Sequence, residues 1–442
     1  MRLANKATRA PARLIEQTLH CIKAPPPGWR QHRLLASNSI VAMTPSSLIE
    51  RMAAAGLRPL QLAGRQLLPI VQGGMGVGIS AHRLAGSVAA LGAWGTIASV
   101  DLRRHHADLM ARSEKLRDGD EKKAVIVQAN QEALSREIRQ ARAIASGRGL
   151  VAVNVMRAVS DYTASVRTAL EEGADALVVG AGLPLDLPEL AQDHPETALI
   201  PILSDARGVS LLWRKWERRQ RIPSAIVIEH PAHAAGHLGA ARVDDLGDAR
   251  FDFETVLPAV RRHLRDAGVE GRVPLIAAGG VRRCEDIQRL QSLGADAAQL
   301  GTAFVATEEC DAHPNFKQVL AEASDEDLVE FTSVAGLPAR AVLTPWLRKY
   351  LKAEERLQAV AQLKQRCTMA FDCLAQCGLR DGLKGWGQFC IDQRLAAALR
   401  GEVTKGLFFR GRGELPFGQQ IASVGQLLER LLTPGIPPGT PA

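Results

Sequence analysis

No stretch of this 442-residue sequence approaches the ~18 to 20 apolar residues that a membrane-crossing helix requires, because charged residues interrupt every hydrophobic run. The amino-terminal segment lacks the apolar core of a secretory signal. Cysteine is sparse, at seven residues, and its spacing does not resemble a small disulfide scaffold. These absences exclude a helical membrane protein and a disulfide-built secreted domain. The expectation is a soluble protein of the reducing cytoplasm.

Acidic residues are missing from one region in particular. Residues 1–43 carry Arg2, Lys6, Arg9, Arg13, Lys23, Arg30 and Arg33 against Glu16 alone, which accounts for +6 of the formal charge of +8. The remaining body, at +2, is too nearly neutral to form a nucleic-acid-binding stripe. The basic and aromatic run from Trp213 to Arg221 is therefore expected to be the solvated face of one outer helix. The leader, with Pro25, Pro26 and Pro27, is expected to be disordered, and Met43 before Thr44, Pro45, Ser46 and Ser47 resembles a natural start.

From Pro69 to about Cys310, short β-branched and apolar runs alternate with longer segments of helical period. That alternation is the mark of repeated βα units, and eight strands are expected. They are Pro69 to Gln72, Gly95 to Val100, Gly149 to Met156, Asp175 to Gly180, Leu199 to Ser204, Ser224 to Glu229, Val273 to Ala278 and Ala297 to Gly301. An internal echo supports the count: Gly173-Ala174-Asp175-Ala176 recurs 121 positions later as Gly294-Ala295-Asp296-Ala297. That interval is four βα units of about 30 residues each, half of an eight-unit barrel. The expected fold is an α/β (β/α)8 TIM barrel over residues 44–310 with an appended helical cap over 311–442. The long connection from Asp108 to Gly147 is expected to be helical.

Three glycine-bearing segments stand at strand ends. Gly73-Gly74-Met75-Gly76-Val77-Gly78 follows the first strand, but Ile79 stands where the third glycine of a dinucleotide fingerprint would fall. This loop either lets backbone approach a flat ring or is a purely structural turn. Ala277-Ala278-Gly279-Gly280-Val281 and Gly301-Thr302-Ala303-Phe304 end the seventh and eighth strands, where barrels of this type hold phosphate on exposed N–H groups and a short helix end. After the sixth strand come His230, His233 and His237 within Glu229 to Gly239. No acid or cysteine stands at a recognised ligand spacing, so a histidine here is better placed as an acid/base or oxyanion donor than as a metal ligand.

Five segments in order, Pro69-Ile70-Val71-Gln72-Gly73-Gly74-Met75-Gly76, Val153-Asn154-Val155-Met156, Ala235-Gly236-His237-Leu238-Gly239, Ala277-Ala278-Gly279-Gly280-Val281 and Gln299-Leu300-Gly301-Thr302-Ala303-Phe304, resemble the nitronate monooxygenase family and its flavin-dependent enoyl-acyl-carrier-protein reductase relatives. The resemblance implies FMN, with Gly279, Gly280, Gly301 and Thr302 at its phosphate and Gly74, Met75 and Asn154 at its ring. It implies His237 as the catalytic residue facing the flavin. Asn154 could instead be a strand-end amide satisfied by backbone. His233 stands where the family often has Glu, and Ala235 where it often has Gly. Leu337-Pro338-Ala339-Arg340-Ala341 resembles the family's longer members, in a loop expected near the barrel mouth.

Cys367, Cys373, Cys377 and Cys390 lie in a segment resembling the cysteine-bearing extension of long family members. Their spacing could ligate an iron–sulfur cluster or zinc, yet it matches neither a C-x2-C pair nor a ferredoxin run. Buried thiols, with Cys373 and Cys377 on one helix face and no metal, are the expectation. The function expected is oxidation of alkyl nitronates with O2. The alternatives are NAD(P)H-dependent reduction of an enoyl thioester or quinone, and a non-catalytic flavin-binding regulator. The partners expected are a small-molecule substrate and O2, with neither nucleic acid nor membrane.

Overall fold

Eight parallel strands close into a barrel in the computed structural model, which describes residues 43–362 and 372–442. The leader up to residue 42 and Cys367 lie outside the described residues. The strands are β1 (Ile70–Gln72), β2 (Trp94–Ala98), β3 (Leu150–Met156), β4 (Ala176–Gly180), β5 (Ala198–Leu203), β6 (Ile226–Glu229), β7 (Leu275–Ala278) and β8 (Ala297–Leu300). Each pairs with its sequence neighbour, and β8 closes on β1 through Gln299 opposite Val71. Every expected strand is present, with ends moved by two residues or fewer. Residues 43 to 442 form one compact unit.

The repeated Gly-Ala-Asp motif has a physical meaning. The Asp175 N–H donates to the Val151 carbonyl at 3.0 Å while its carboxylate accepts the Val151 N–H at 2.8 Å. Asp296 does the same to Leu275, at 2.7 Å in both directions. Each aspartate thus pins the start of the preceding strand, β3 or β7, and each is paired with an arginine, Arg65 at 2.8 Å or Arg261. A hydrogen bond to a charged group contributes about 1.5 to 3 kcal/mol, so these are register clamps rather than decoration.

Inside the barrel, Val71, Trp94, Leu150, Val178, Ile200, Val227 and Ile276 pack into one apolar cluster. Leu60, Leu62 and Leu67 join it from an antiparallel hairpin, Leu60–Leu62 with Arg65–Leu67, that precedes β1. The hairpin packs on the interior from the end where the strands begin, which leaves the other end, where they finish, for chemistry. The connection after β2 contains the helices Ala107–Glu114 and Asp120–Ala145, as its composition indicated. Trp213 and Trp216 are buried by the helix Ala206–Glu217, while its basic residues Arg214 and Lys215 lie on the exposed side.

After residue 310 the structure departs from a purely helical cap. Leu328–Thr332 and Pro338–Val342 are antiparallel strands, so Arg340 sits in a strand rather than in a loop. The two-residue strand Gly236–His237 joins their edge, with Ala339 opposite His237. Residues 373 to 377 are not helical, and Cys373 and Cys377 therefore share no helix face. Cys377 is buried, and Cys373 and Cys390 are partly exposed. Among the described residues no helix is long and apolar enough to cross a membrane.

Candidate active site

The carboxyl ends of the strands open into a cleft of 560 Å³ that joins a smaller pocket of 150 Å³. Gly74, Met75, Glu229, Ala235, Gln299, Gly301 and Thr302 line both. Asn154 and His237 line the large cleft, and Gly279 and Gly280 line the small one. The eight residues singled out from the sequence are thereby brought to one continuous cavity. Its large part is walled mainly by apolar side chains, including Val100, Met156 and Ile202 from the barrel and Ile391, Leu395, Leu407 and Phe409 from the extension.

Asn154 stands on β3 with its amide N–H₂ donating to the Val178 carbonyl at 3.0 Å. A side chain at Gly74 would place its Cβ 2.4 Å from the Cβ of Asn154, so only glycine allows the loop after β1 to pass this close. The amide is satisfied on its donor side by backbone, and its oxygen faces the Gly74 loop. Gln72, by contrast, is consumed by structure: its amide accepts the Thr96 N–H at 2.8 Å and donates to the Thr96 carbonyl at 3.1 Å.

His237 owes its position to the extension. Its strand pairing with Pro338–Val342 fixes the backbone, and Ser333 Oγ lies 3.0 Å from its Nε2. The side chain's remaining exposure is to the cleft, and burial pushes its pKa down to about 4. The imidazole is neutral at pH 7. Arg340 braces the same loop: it is 1% exposed, pairs with Glu330 at 2.9 Å and donates to the carbonyls of Ala234 at 2.5 Å and Pro231 at 3.4 Å.

The three histidines do not converge. His230 and His233 lie with ring centroids 4.7 Å apart at a tilt of 56°, and His230 approaches Asp252 at 3.4 Å, whereas His237 lies against Ser333. Burial, followed by the neighbouring His230 and Arg282, pushes His233 down to about 4. Among the described residues no group of three His, Cys, Asp or Glu side chains is gathered as a metal site.

Several cavity residues escaped the sequence reading. Glu229 closes β6 at the junction of the two compartments, and burial raises its carboxyl to about 7. Gln299, near the end of β8, lines both compartments as well. Both stand at strand ends, a signal that strand alternation could have supplied. Asp392, from the helix Ile391–Leu399, reaches the cleft and is tied through Arg104, at 2.7 Å, to Asp101 beyond β2. Burial and the Asp101 carboxylate push the Asp392 pKa up. Nothing in the local sequence marks a residue that arrives from 288 positions away.

The small pocket has the character of an anion site. Its walls are the backbone of Gly279 to Val281 and Gly301 to Ala303 together with residues 411 to 413. The N–H groups of Gly280 and Val281 have no acceptor among the described residues. The helix after β8, Thr302–Val305, is a single turn, so the glycine N–H groups rather than a helix end carry this character.

A model of the nitronate monooxygenase family matches residues 63–433. A probable nitronate monooxygenase of Bacillus subtilis is 31% identical over 124 residues, which is 28% of this chain and 33% of that protein. The nitronate monooxygenase of Paraburkholderia phytofirmans is 32% identical over 116 residues, 26% of this chain and 30% of its own length. The chain thus spans about a third of the length of these curated relatives. FabK of Thermotoga maritima superposes with a TM-score of 0.55 at 22% identity, covering 82% of this chain and 91% of FabK. Nitroalkane oxidase of Streptomyces ansochromogenes gives 0.56 at 20%, covering 86% and 96%. At these identities the likeness of the two structures is one of fold.

Proposed function

Because this chain belongs to the nitronate monooxygenase family, we propose that it is an FMN-dependent oxidoreductase that oxidises alkyl nitronates with O2. The observation that carries this reading is the shape of the cavity: a small pocket edged by unpaired backbone N–H groups opens into a larger apolar cleft holding Asn154 and His237. A phosphate-bearing planar cofactor has the same division into an anionic end and a flat apolar end. Gly279, Gly280, Gly301 and Thr302 would hold the phosphate, and Gly74, Met75 and Asn154 would meet the ring. The chemistry such a flavin supplies is two-electron oxidation of the substrate with return of the electrons to O2, without a requirement for NAD(P)H.

His237 provides the proton chemistry. Ser333 Oγ accepts the Ala335 N–H at 3.2 Å and lies 3.0 Å from His237 Nε2. With Nε2–H donated to Ser333, Nδ1 keeps its lone pair and can take a proton from carbon next to a nitro group. In the opposite tautomer Nδ1–H donates to a substrate oxygen. Val100, Met156, Ile202 and Phe409 exclude water from the cleft and accept the hydrocarbon part of the substrate.

Purified protein, or protein reconstituted with flavin, is expected to contain about one FMN per chain. Acid release followed by chromatographic identification of the flavin checks this. Release of FAD, or no flavin after reconstitution, would end the reading.

A further inference from the structure

The small pocket is completed by a part of the chain more than 100 residues beyond β8. Phe409 bridges to Ala341 of the central strand of the cap sheet, and the segment from Phe409 to Gly413 then runs beside the glycine loops. Arg410 holds this strap in a fixed curve. Its guanidinium is 2% exposed and donates to the carbonyls of Leu320 at 2.8 Å, Gly411 at 2.8 Å and Gly413 at 3.2 Å. The Gly411 N–H donates to Thr302 Oγ1 at 3.0 Å, and the Gly413 N–H to Asp325 at 2.6 Å. The strap is therefore a preorganised wall of the pocket.

The charges around this wall do not balance. Arg282, from the loop after β7, lines the pocket and has no ion-pair or hydrogen-bond partner for its guanidinium among the described residues. Arg412, from the strap, contacts Glu330 at 2.8 Å, but Glu330 is already paired with the buried Arg340 at 2.9 Å. One carboxylate thus serves two guanidiniums. Of the other acids, the Glu414 carboxyl lies against Gly439, Asp325 is taken by Gly413 and Arg410, and burial raises Glu229 to about 7. Arg282, Arg340, Arg410 and Arg412 outnumber the carboxylates of Glu330, Asp325 and Glu414, so a net positive charge remains beside two N–H groups without acceptors. A phosphate monoester carries about −1.5 to −2 at pH 7.

We propose that Arg282 and Arg412, brought together from the β7 loop and the carboxyl-terminal strap, are the cation pair that receives the cofactor's terminal phosphate. The proposal rests on the flavin reading above and adds to it that the extension is part of the binding site. Arginine suits the task because its planar fork meets two phosphate oxygens at once.

The test compares FMN with riboflavin, which lacks the phosphate. Flavin-free protein is titrated with each, and quenching of flavin fluorescence is followed at low and at high salt. The wild type is expected to prefer FMN, and millimolar inorganic phosphate to compete with FMN but not with riboflavin. Arg282→Gln and Arg412→Gln are each expected to weaken FMN about tenfold, one strong charge-assisted contact, and to leave riboflavin unchanged. Arg412→Lys should recover part of the loss. Equal weakening of both flavins would make the arginines merely structural and overturn the proposal, as would no weakening of either. A wild type that binds both flavins equally would end this proposal alone. A wild type that binds neither would end the flavin reading with it.

Discussion

His237→Asn is expected to slow turnover of neutral nitroalkanes by about 10²- to 10⁴-fold, the usual contribution of a general base, while nitronates lose much less. A nitronate has already given up the proton that the imidazole would take. It needs only orientation and stabilisation of its charge. The variant should bind FMN as the wild type does, since His237 lines the large cleft and is not part of the small pocket. Asparagine fits the same strand position and keeps an amide near the place of Nδ1, but it is too short to reach Ser333, so a loss common to both substrate forms reports that contact and the difference between them reports the proton. Because burial places the imidazole near pH 4, the acid limb of kcat/KM for nitroalkanes should fall near that value rather than at the ordinary histidine value of 6.5. Equal losses on both substrate forms would make His237 an orienting or oxyanion-binding group. No loss on either would remove it from the chemistry and direct attention to His233.

Gly280→Val should lower FMN affinity by about a hundredfold. Two effects combine. Gly280 has φ of +75°, a conformation that costs a β-branched residue about 1 to 2 kcal/mol or more, which is itself about tenfold in binding if relaxation displaces the loop. Its added Cβ would also stand 3.2 Å from the His233 ring, in the wall where the N–H groups of Gly280 and Val281 are free. Flavin titration of the refolded or natively purified variant measures the change, and circular dichroism checks that the barrel persists. Unchanged FMN affinity would place the phosphate elsewhere.

The barrel was legible because each strand is a short, continuous apolar run bounded by turn residues, and because the Gly-Ala-Asp echo repeats a physical device. Asp175 clamps Val151, the second residue of β3, and Asp296 clamps Leu275, the first of β7, and a clamp that recurs at half the barrel is visible as sequence. The cap sheet was not legible in the same way. In Leu328–Thr332 and Pro338–Val342, Glu330 and Arg340 face one another across the pair and interrupt the apolar pattern that announces a strand. Gly236–His237, at two residues, has no period at all and exists only because Pro338–Val342 lies alongside.

The candidate site divides along the same line. Gly74, Gly279, Gly280 and Gly301 could be found because they follow strands whose ends point to one mouth, and Asn154 because it stands near the end of one such strand. Arg412 and Asp392 come from the extension, and Ser333 reaches His237 across 96 positions, so only the folded chain reveals them. The cysteines illustrate the opposite error. A spacing of four residues reads as a helix face, but Leu374 bridges to Val159 of the barrel and holds this stretch out of helix.

Oxygen uptake by the FMN-loaded protein, with an alkyl nitronate as sole reductant, tests the central claim most directly. The account predicts that uptake follows nitronate concentration, yields the corresponding carbonyl compound, and does not change when NADH or NADPH is added. Uptake or acceptor reduction that begins only when NADH or NADPH is supplied, with no turnover of nitronate alone, would contradict it.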